Sequence, residues 1–466
     1  MLLRKAGLLS GLLASTVNGI DFDPKDKDVI TEATGTVAYG LLGFYYGNNT
    51  GDVPGNLPDP YYWWVCGAMF GTLIDYWRYI GDDTYNDLIM QGMMHQVGQY
   101  KDYMPSNQTL SMGNDDQGFW ALTAMAAAEA VFPNPPDDQP QWIQLASTVW
   151  NLWAGRWDPK NCGGGLRWQV YPTSPGYNYK NSISNGLMFD LGARLARYTG
   201  NKTYIEWVEK IWDWEEKVGL VTDKFEVKDG VTIRGDNCKD MDKTEWTYNL
   251  GLFLHGSAVM YDVTEDEKWK TRTKGFLDSG IKKFTKDGVL FEQFCEPFEI
   301  CNMDQKSFKG YLARWMAATV QLIPEFYDTV HPVISKSAVA ASKACVGNPT
   351  EPLPMHPAWR GHPNTACGFK WTTGQFDNSY GVGEQMSALS VMMYVLADSA
   401  DPPVTNTTGG KSHGDPGSGV NDDDRLKQFP DITTSDRVGA GFLTTFILAA
   451  IIGGCAFVSL PLFESH

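Results

Sequence analysis

The chain has 466 residues, of which 43% are apolar, and carries 38 basic against 55 acidic side chains, a formal charge of −17. That surplus of negative charge excludes a nucleic-acid phosphate backbone and a basic membrane-binding surface, because phosphates and anionic headgroups would be repelled. The length is enough to bury one large core or two ordinary ones.

At the N-terminus, Arg4 and Lys5 precede an apolar run from Ala6 to Val17, and Asn18 and Gly19 lead into Asp21. This is the charge, core and cleavage pattern of a secretory signal peptide over residues 1–19. The apolar core is too short to cross roughly 30 Å of hydrocarbon. Sequons at Asn48, Asn107, Asn201 and Asn406 fit passage through the secretory pathway. Seven of the eight cysteines lie before the C-terminal apolar tail, and an oxidising compartment would pair them. Nearness in sequence suggests Cys295 with Cys301 and Cys345 with Cys367, leaving Cys162 for Cys238 and Cys66 as a buried small hydrophobe. Sequence does not fix this connectivity.

A helix-ending polar turn followed by an aromatic residue recurs along the chain. It reads Tyr79-Ile-Gly-Asp-Asp-Thr-Tyr85 and again Tyr198-Thr-Gly-Asn-Lys-Thr-Tyr204, with looser copies at Pro135–Trp142 and Thr264–Trp269. The copies lie about sixty residues apart, room for two ordinary helices and their loops. Within the units, Leu187, Leu191, Leu195 and Tyr198 follow the helical period, as do Leu250, Leu254, Ala258 and Tyr261. Six such hairpins fit between about Thr31 and Ala397. Six is the number that closes a ring, so the expected fold is all-α, an (α/α)6 toroid over residues 20–397, with an open solenoid as the alternative. A helix over Gly383–Leu396 with no polar face favours closure. In such a ring the N-terminal ends of the inner helices meet at one face and form a cleft.

One of those ends carries Gly113-Asn114-Asp115-Asp116-Gln117-Gly118-Phe119-Trp120. Taken alone, this is a helix cap, with Asn114 or Asp115 as N-cap and acidic residues favoured by the helix dipole. Taken with its place in the ring, it is a pair of carboxyls for glycosidic chemistry. That chemistry needs one carboxyl protonated to donate to the leaving oxygen and one ionised to attack or to activate water. Mutual repulsion should raise one pKa while the exposed N–H groups of the helix start hold the other group ionised. The seven histidines show no metal-ligand spacing, so no metal and no cofactor are expected, and His255 on an apolar helix face reads as a core residue. No phosphate loop, dinucleotide fingerprint or serine nucleophile elbow is present.

Beyond the ring, residues 398–437 are rich in Gly, Ser and Asp and read as a polar linker with a lipid-attachment region, in which Gly417, Ser418, Gly419 and Ser435 are candidate sites. The tail over residues 438–466, apolar from Val438 to Phe463, has no basic residue behind it. That pattern fits a removed glycosylphosphatidylinositol (GPI) signal better than a spanning anchor.

Several motifs in order resemble glycoside hydrolase family 76, the α-1,6-mannanase family, and more closely its fungal GPI-anchored cell-wall branch. They are Trp63-Trp64 with Gly67 and Asp75-Tyr76-Trp77; Asn114-Asp115-Asp116-Gln117; Cys162-Gly-Gly-Gly165 with Arg167-Trp168; Lys180-Asn181-Ser182-Ile183-Ser184-Asn185-Gly186; Glu245-Trp246-Thr247-Tyr248-Asn249; and Phe308-Lys309-Gly310 with Arg314-Trp315. The resemblance implies a retaining mechanism with Asp115 as nucleophile and Asp116 as general acid/base. It also implies sugar contacts from Trp64, Asn114, Asn185, Trp246, Tyr248 and Asn249. The expected partner is α-1,6-mannan or the GPI-core glycan, with cell-wall glucan as a candidate acceptor, and the expected location is the outer face of the plasma membrane or the wall. A non-catalytic mannan-binding wall protein is the alternative.

Overall fold

The computed structural model describes residues 20–108, 111–233, 238–350, 358–420 and 433–459; the signal-peptide expectation lies outside them. Twelve helices alternate between two concentric layers. The outer layer is α1 (Lys27–Leu42), α3 (Asn86–His95), α5 (Trp142–Arg156), α7 (Lys202–Val218), α9 (Glu267–Phe284) and α11 (Tyr327–Ala344). The inner layer is α2 (Trp63–Ile80), α4 (Asn114–Glu129), α6 (Ser182–Thr199), α8 (Thr247–Thr264), α10 (Gln305–Leu322) and α12 (Val382–Met393). Each inner helix packs on the next, and α12 packs back on α2, closing the (α/α)6 toroid.

The recurring turns end inner helices and start outer ones. Gly81 and Gly200 close α2 and α6 in the left-handed conformation, and the Asn201 and Asp266 side chains cap α7 and α9. Outer α7 is amphipathic, burying Tyr204, Val208, Ile211 and Trp212 at helical spacing. Inner helices are buried almost all round, as α4 and α12 show. A glycine near the start of each inner helix lets the neighbour approach. A Cβ on Gly67 would fall 2.7 Å from Trp120, on Gly118 2.8 Å from Leu187, on Gly186 3.1 Å from Phe253 and on Gly251 2.3 Å from Trp315.

Two buried charge clusters tie the inner helices beneath the cleft. Arg314 on α10 pairs with Asp75 on α2 at 2.7 Å, and Tyr394 donates to the same carboxylate at 2.6 Å. Arg194 on α6 pairs with Glu129 on α4 at 2.6 Å and with Asp190 at 3.6 Å, and Asp190 meets His255 of α8 at 2.7 Å. His255 is thus a satisfied core residue, as its position on an apolar face suggests.

Short antiparallel strands decorate the cleft face: β1 (Tyr179–Asn181), β2 (Gly230–Thr232) and β3 (Asp240–Asp242) in one sheet, β4 (Thr285–Lys286) with β5 (Val289–Leu290), and β6 (Cys345–Gly347) with β7 (Ala366–Cys367). Disulfides join Cys162–Cys238, Cys295–Cys301 and Cys345–Cys367, with Cys66 free and buried. This is the pairing that nearness suggested. All four sequon asparagines are exposed. A final helix, α13 (Thr434–Ser459), contains a span from Thr434 to Ala456 with mean hydropathy 2.0, long and apolar enough to cross a membrane.

The stretch read as a linker departs from expectation. Residues 402–420 cross the face opposite the cleft and then run along α5. Val404 N–H donates to the Glu129 carbonyl and Asn406 N–H to the Tyr198 carbonyl. Further on, the Ser412 hydroxyl accepts from Ile143 N–H, and Asn151 donates to the carbonyls of Pro416 and Ser418. Glycine composition mimicked a linker because glycines are what let this strap lie close: a Cβ on Gly410 would meet Tyr198 at 2.5 Å and one on Gly414 would meet Gln144 at 2.5 Å. Ending the chain after Ala397 should therefore lower the thermal midpoint by a few degrees relative to ending it after Val420, since several net-favourable hydrogen bonds of about 1 kcal/mol each are lost. Differential scanning calorimetry on the two truncations checks this.

Candidate active site

The cleft lies where the inner helices begin. Helix α4 is capped at Gly113 rather than at Asn114 or Asp115, so Asn114, Asp115 and Asp116 are its first three residues. Gly113 pairs across to Gln169 in an isolated antiparallel bridge, with Asn114 N–H donating to the Trp168 carbonyl at 2.8 Å. This bridge brings the loop after Cys162 over the acid pair, and the Trp168 indole N–H donates to the Asp115 carboxylate.

Asp115 also accepts backbone N–H groups, that of Asp116 at 3.1 Å among them. Asp116 reaches back and accepts the Gly113 N–H at 2.7 Å, the one half of a capping box that a glycine cap permits. Burial and the adjacent Asp116 push Asp115 well above the usual carboxylate range, and burial pushes Asp116 up to about 6. Two coupled carboxyls so placed share one proton near neutrality. Backbone and indole N–H donors gather on Asp115, whereas Asp116 keeps the Gly113 N–H and is lifted less.

The pair thus starts the helix, as a cap reading expects, and also holds two buried carboxyls side by side at the cleft. Gly113 is required for space, since its backbone is ordinary extended chain. A Cβ there would lie 2.1 Å from Asp115 Oδ1, 3.2 Å from Asp116 Oδ2 and 3.2 Å from the Trp168 indole nitrogen.

The expected sugar contacts divide into two groups. Tyr248 and Trp246 stand at the start of α8 on the cleft wall. Tyr248 stacks on Phe308 with centroids 3.7 Å apart, and Trp246 meets the edge of the same ring at 5.7 Å. Burial raises the Tyr248 hydroxyl, helped by Asp229, Asp115, Asp304 and Glu292, so it shares its surroundings with the acid pair. Trp64, in the first turn of α2, is buried against Phe119 at 4.5 Å. Asn249 is fully buried next to Tyr248 in α8 and close enough to Asp229 to oppose the rise that burial gives its carboxyl, with no hydrogen bond formed by either amide atom among the described residues.

Asn114 and Asn185, both expected as sugar contacts, are engaged in holding the loop. Asn114 Nδ2 donates to the Arg167 carbonyl and its Oδ1 accepts from Arg156. Asn185 is fully buried, its Oδ1 accepting Leu166 N–H while its Nδ2 donates to the Leu166 and Asn181 carbonyls. Both N–H groups of Asn185 are thereby used, whereas Asn114 commits one N–H to the loop. Lys180 serves the same loop, donating to the carbonyls of Asp158, Asn161 and Gly164.

Three cleft residues escape sequence reasoning. Asp304, at the N-cap of α10, is pushed up to about 7 by burial and by the Asp116 charge. Asp229 accepts from Tyr179 at 2.6 Å and is raised by burial. Trp168 was visible in a motif, but its bond to Asp115 depends on the bridge between two loops and has no local signature.

Comparison with known proteins agrees with this geometry. The sequence profile of Glycosyl hydrolase family 76 matches residues 29–407. The chain belongs to that family. Among its relatives, mannan endo-1,6-alpha-mannosidase DCW1 of Candida glabrata is 43% identical over 97% of this chain and 99% of its own length. The Saccharomyces cerevisiae protein of the same name is 43% identical over 98% and 99%. The crystal structure of Dfg5 from Chaetomium thermophilum in complex with glucosamine superposes with a TM-score of 0.81 at 47% identity, covering 88% of this chain and all of that one. The bacterial family 76 α-1,6-mannanase of Salegentibacter, at 18% identity and TM-score 0.60, shares the fold. This family 76 member is a glycoside hydrolase, and nothing favours the non-catalytic alternative.

Gly113→Ala should fold normally yet lose on the order of a hundredfold in kcat, because displacing a catalytic group by about 1 Å costs that much; circular dichroism and oligosaccharide cleavage assays test the two halves. Burial and the Asp116 charge raise Asp304 to about 7, so a step near pH 7 in kcat/KM that comes from Asp304 should disappear in Asp304→Asn, read from rates between pH 4 and 9.

Proposed function

We propose that this chain is a retaining enzyme acting on α-1,6-linked mannose in fungal cell-wall biogenesis, with Asp115 as nucleophile and Asp116 as general acid/base, and that it hands the cleaved glycan to a second sugar. The observation that carries the reading is the acid pair at the start of α4, one proton between two carboxyls with N–H donors gathered on Asp115. The names of the relatives, mannan endo-1,6-alpha-mannosidases, support the substrate class.

In the first step an Asp115 oxygen bonds to C1 of mannose as the C1–O bond to the next residue breaks, and Asp116 gives its proton to the departing oxygen. In the second step a hydroxyl oxygen of the acceptor attacks C1, Asp116 takes its proton, and the ester bond to Asp115 breaks with its electrons returning to the carboxylate. Water as acceptor makes the enzyme a hydrolase; a sugar hydroxyl makes it a transglycosidase. Tyr248, Phe308 and Trp246 form an aromatic wall beside the pair, suited to the apolar face of a pyranose and to keeping water from the ester. Trp64 supports that wall from α2, and Asn249 lies buried next to Tyr248 with its amide unengaged by the described residues.

The GPI-core glycan is the proposed donor. The C-terminal apolar helix is compatible with a GPI signal, which would hold the enzyme at the outer membrane face where such glycans stand, with release into the wall as the second location. Ser418 makes a poor attachment point, because its hydroxyl and carbonyl are bonded to Thr148 and Asn151.

Incubating the full-length chain in detergent with α-1,6-mannooligosaccharides and following products by mass spectrometry tests the reading. Shorter and longer products together are expected. Asp115→Asn and Asp116→Asn should each reduce both by at least about a thousandfold while leaving the thermal midpoint near that of the native chain. Shorter products alone would reduce the enzyme to a hydrolase, and undiminished activity in both variants would remove the acid pair from the mechanism.

A further inference from the structure

Behind the cleft wall lies a group of buried charges that the mechanism leaves unused. Helix α8 begins at Thr247, between Trp246 and Tyr248, and its N-cap residue, Trp246, makes no capping side-chain bond. The neighbouring α6 takes its cap from its own Asn181. At α8 the cap comes from a distant segment. Glu292, which follows β5, accepts the Thr247 hydroxyl at 2.5 Å and the Thr247 N–H at 3.3 Å on one carboxylate oxygen. This satisfies one of the N–H groups that a helix start leaves open. Glu292 and Thr247 are both fully buried.

Glu292 is itself held from behind. Its N–H donates to the Glu296 carboxylate at 2.9 Å, and the same oxygen of Glu296 accepts from Lys309 at 3.1 Å. Lys309, fully buried, also donates to the Phe369 carbonyl and lies 4.0 Å from the centroids of the Phe369 and Trp371 rings. The Cys295–Cys301 disulfide closes the loop that carries Glu296. The second oxygens of Glu292 and Glu296 find no hydrogen-bond partner among the described residues. Such a cluster is less favourable than well-packed apolar side chains of the same size, so stability does not explain it. A costly buried network that ends on the residue between two cleft-wall rings points instead to the placement of those rings.

We propose that Glu292 is a positioning residue for the glycosidic reaction: through Thr247 it fixes the first turn of α8, and with it the Trp246 and Tyr248 rings of the cleft wall. Glu296, Lys309 and the disulfide-closed loop keep Glu292 in place. The inference rests on the reading above that this wall contacts sugar. Glu292 itself acts at one remove, by holding Tyr248 where it stacks on Phe308 at 3.7 Å. Burial pushes Glu292 up to about 8 against the pull of the Thr247 donors. Near neutrality its carboxyl is therefore mostly uncharged, and a glutamine can accept the same bond.

The test is the kinetics of the full-length chain in detergent on an α-1,6-mannooligosaccharide near neutral pH, comparing wild type with Glu292→Met, Glu292→Gln, Thr247→Val and Tyr248→Ala. Glu292→Met should raise KM about tenfold and change kcat by less than about twofold, because a wall that binds ground and transition states alike acts on KM. Glu292→Gln should bring KM back to within about twofold of wild type, since the amide oxygen accepts from Thr247. Thr247→Val keeps the shape and withdraws the hydroxyl, and is expected to raise KM about threefold; added to Glu292→Met it should raise KM no further, as both act through one bond. An unchanged KM in Glu292→Met, or an equal rise in Glu292→Gln, would overturn the positioning role. Should Glu292→Met fail to fold, Thr247→Val decides, and an unchanged KM there overturns it too. A raised KM in Tyr248→Ala beside an unchanged one in Glu292→Met would sink the positioning role alone. An unchanged KM in Tyr248→Ala would remove the sugar-contact reading of the wall and this inference with it.

Discussion

The close approach of the inner helices at their glycines is the constraint on which the rest depends. Where Gly67, Gly118, Gly186 and Gly251 meet Trp120, Leu187, Phe253 and Trp315, no larger residue fits without displacing a neighbour. The inner helices can therefore begin close together at one face. Each brings unsatisfied N–H groups and the positive end of a helix dipole to that face. A strongly acidic protein can in this way hold Asp115, Asp116, Asp229 and Asp304 around one cleft, because backbone dipoles offset repulsion that side-chain cations would otherwise have to meet. Further down the ring, the largely buried Arg314–Asp75 and Arg194–Glu129 pairs fasten the same helices. Breaking either pair by removing one partner would leave a buried charge alone, which is far more damaging than losing a surface bridge.

Much of this was legible in the sequence because it is periodic or local. The turn at Tyr79–Tyr85 and its copy at Tyr198–Tyr204 mark the ends of α2 and α6, and apolar spacing along Leu187–Tyr198 marks a buried helix. Asp115 and Asp116 announce themselves by adjacency at a helix start. The two short disulfide loops follow from nearness, and the third pair from what remains.

What was not legible depends on contacts between distant segments. Asp304 reaches the cleft because α10 begins across the ring from α4, and Trp168 because a single bridge between residues 113 and 169 lays one loop over another. The structural part of Asn114 and Asn185 is of the same kind. Their place in motifs suggests hydroxyl recognition, but an amide's paired donor and acceptor is equally suited to clamping a backbone, and here Arg167 and Leu166 are held in that way. Such residues set the shape of the cleft through the loops they hold.

The strap formed by residues 402–420 has a mechanical meaning. A pull applied at its far end, the side from which α13 departs, does not fall on α12 directly. It meets first the bonds at Asn151 and Thr148, then Ile143, then the carbonyls of Tyr198 and Glu129, in that order. The strap is a strain relief, like the clamp where a cable enters its housing. Drag on a tethered molecule would be spent on peeling these contacts one after another while the helices that align the two aspartates stay in register.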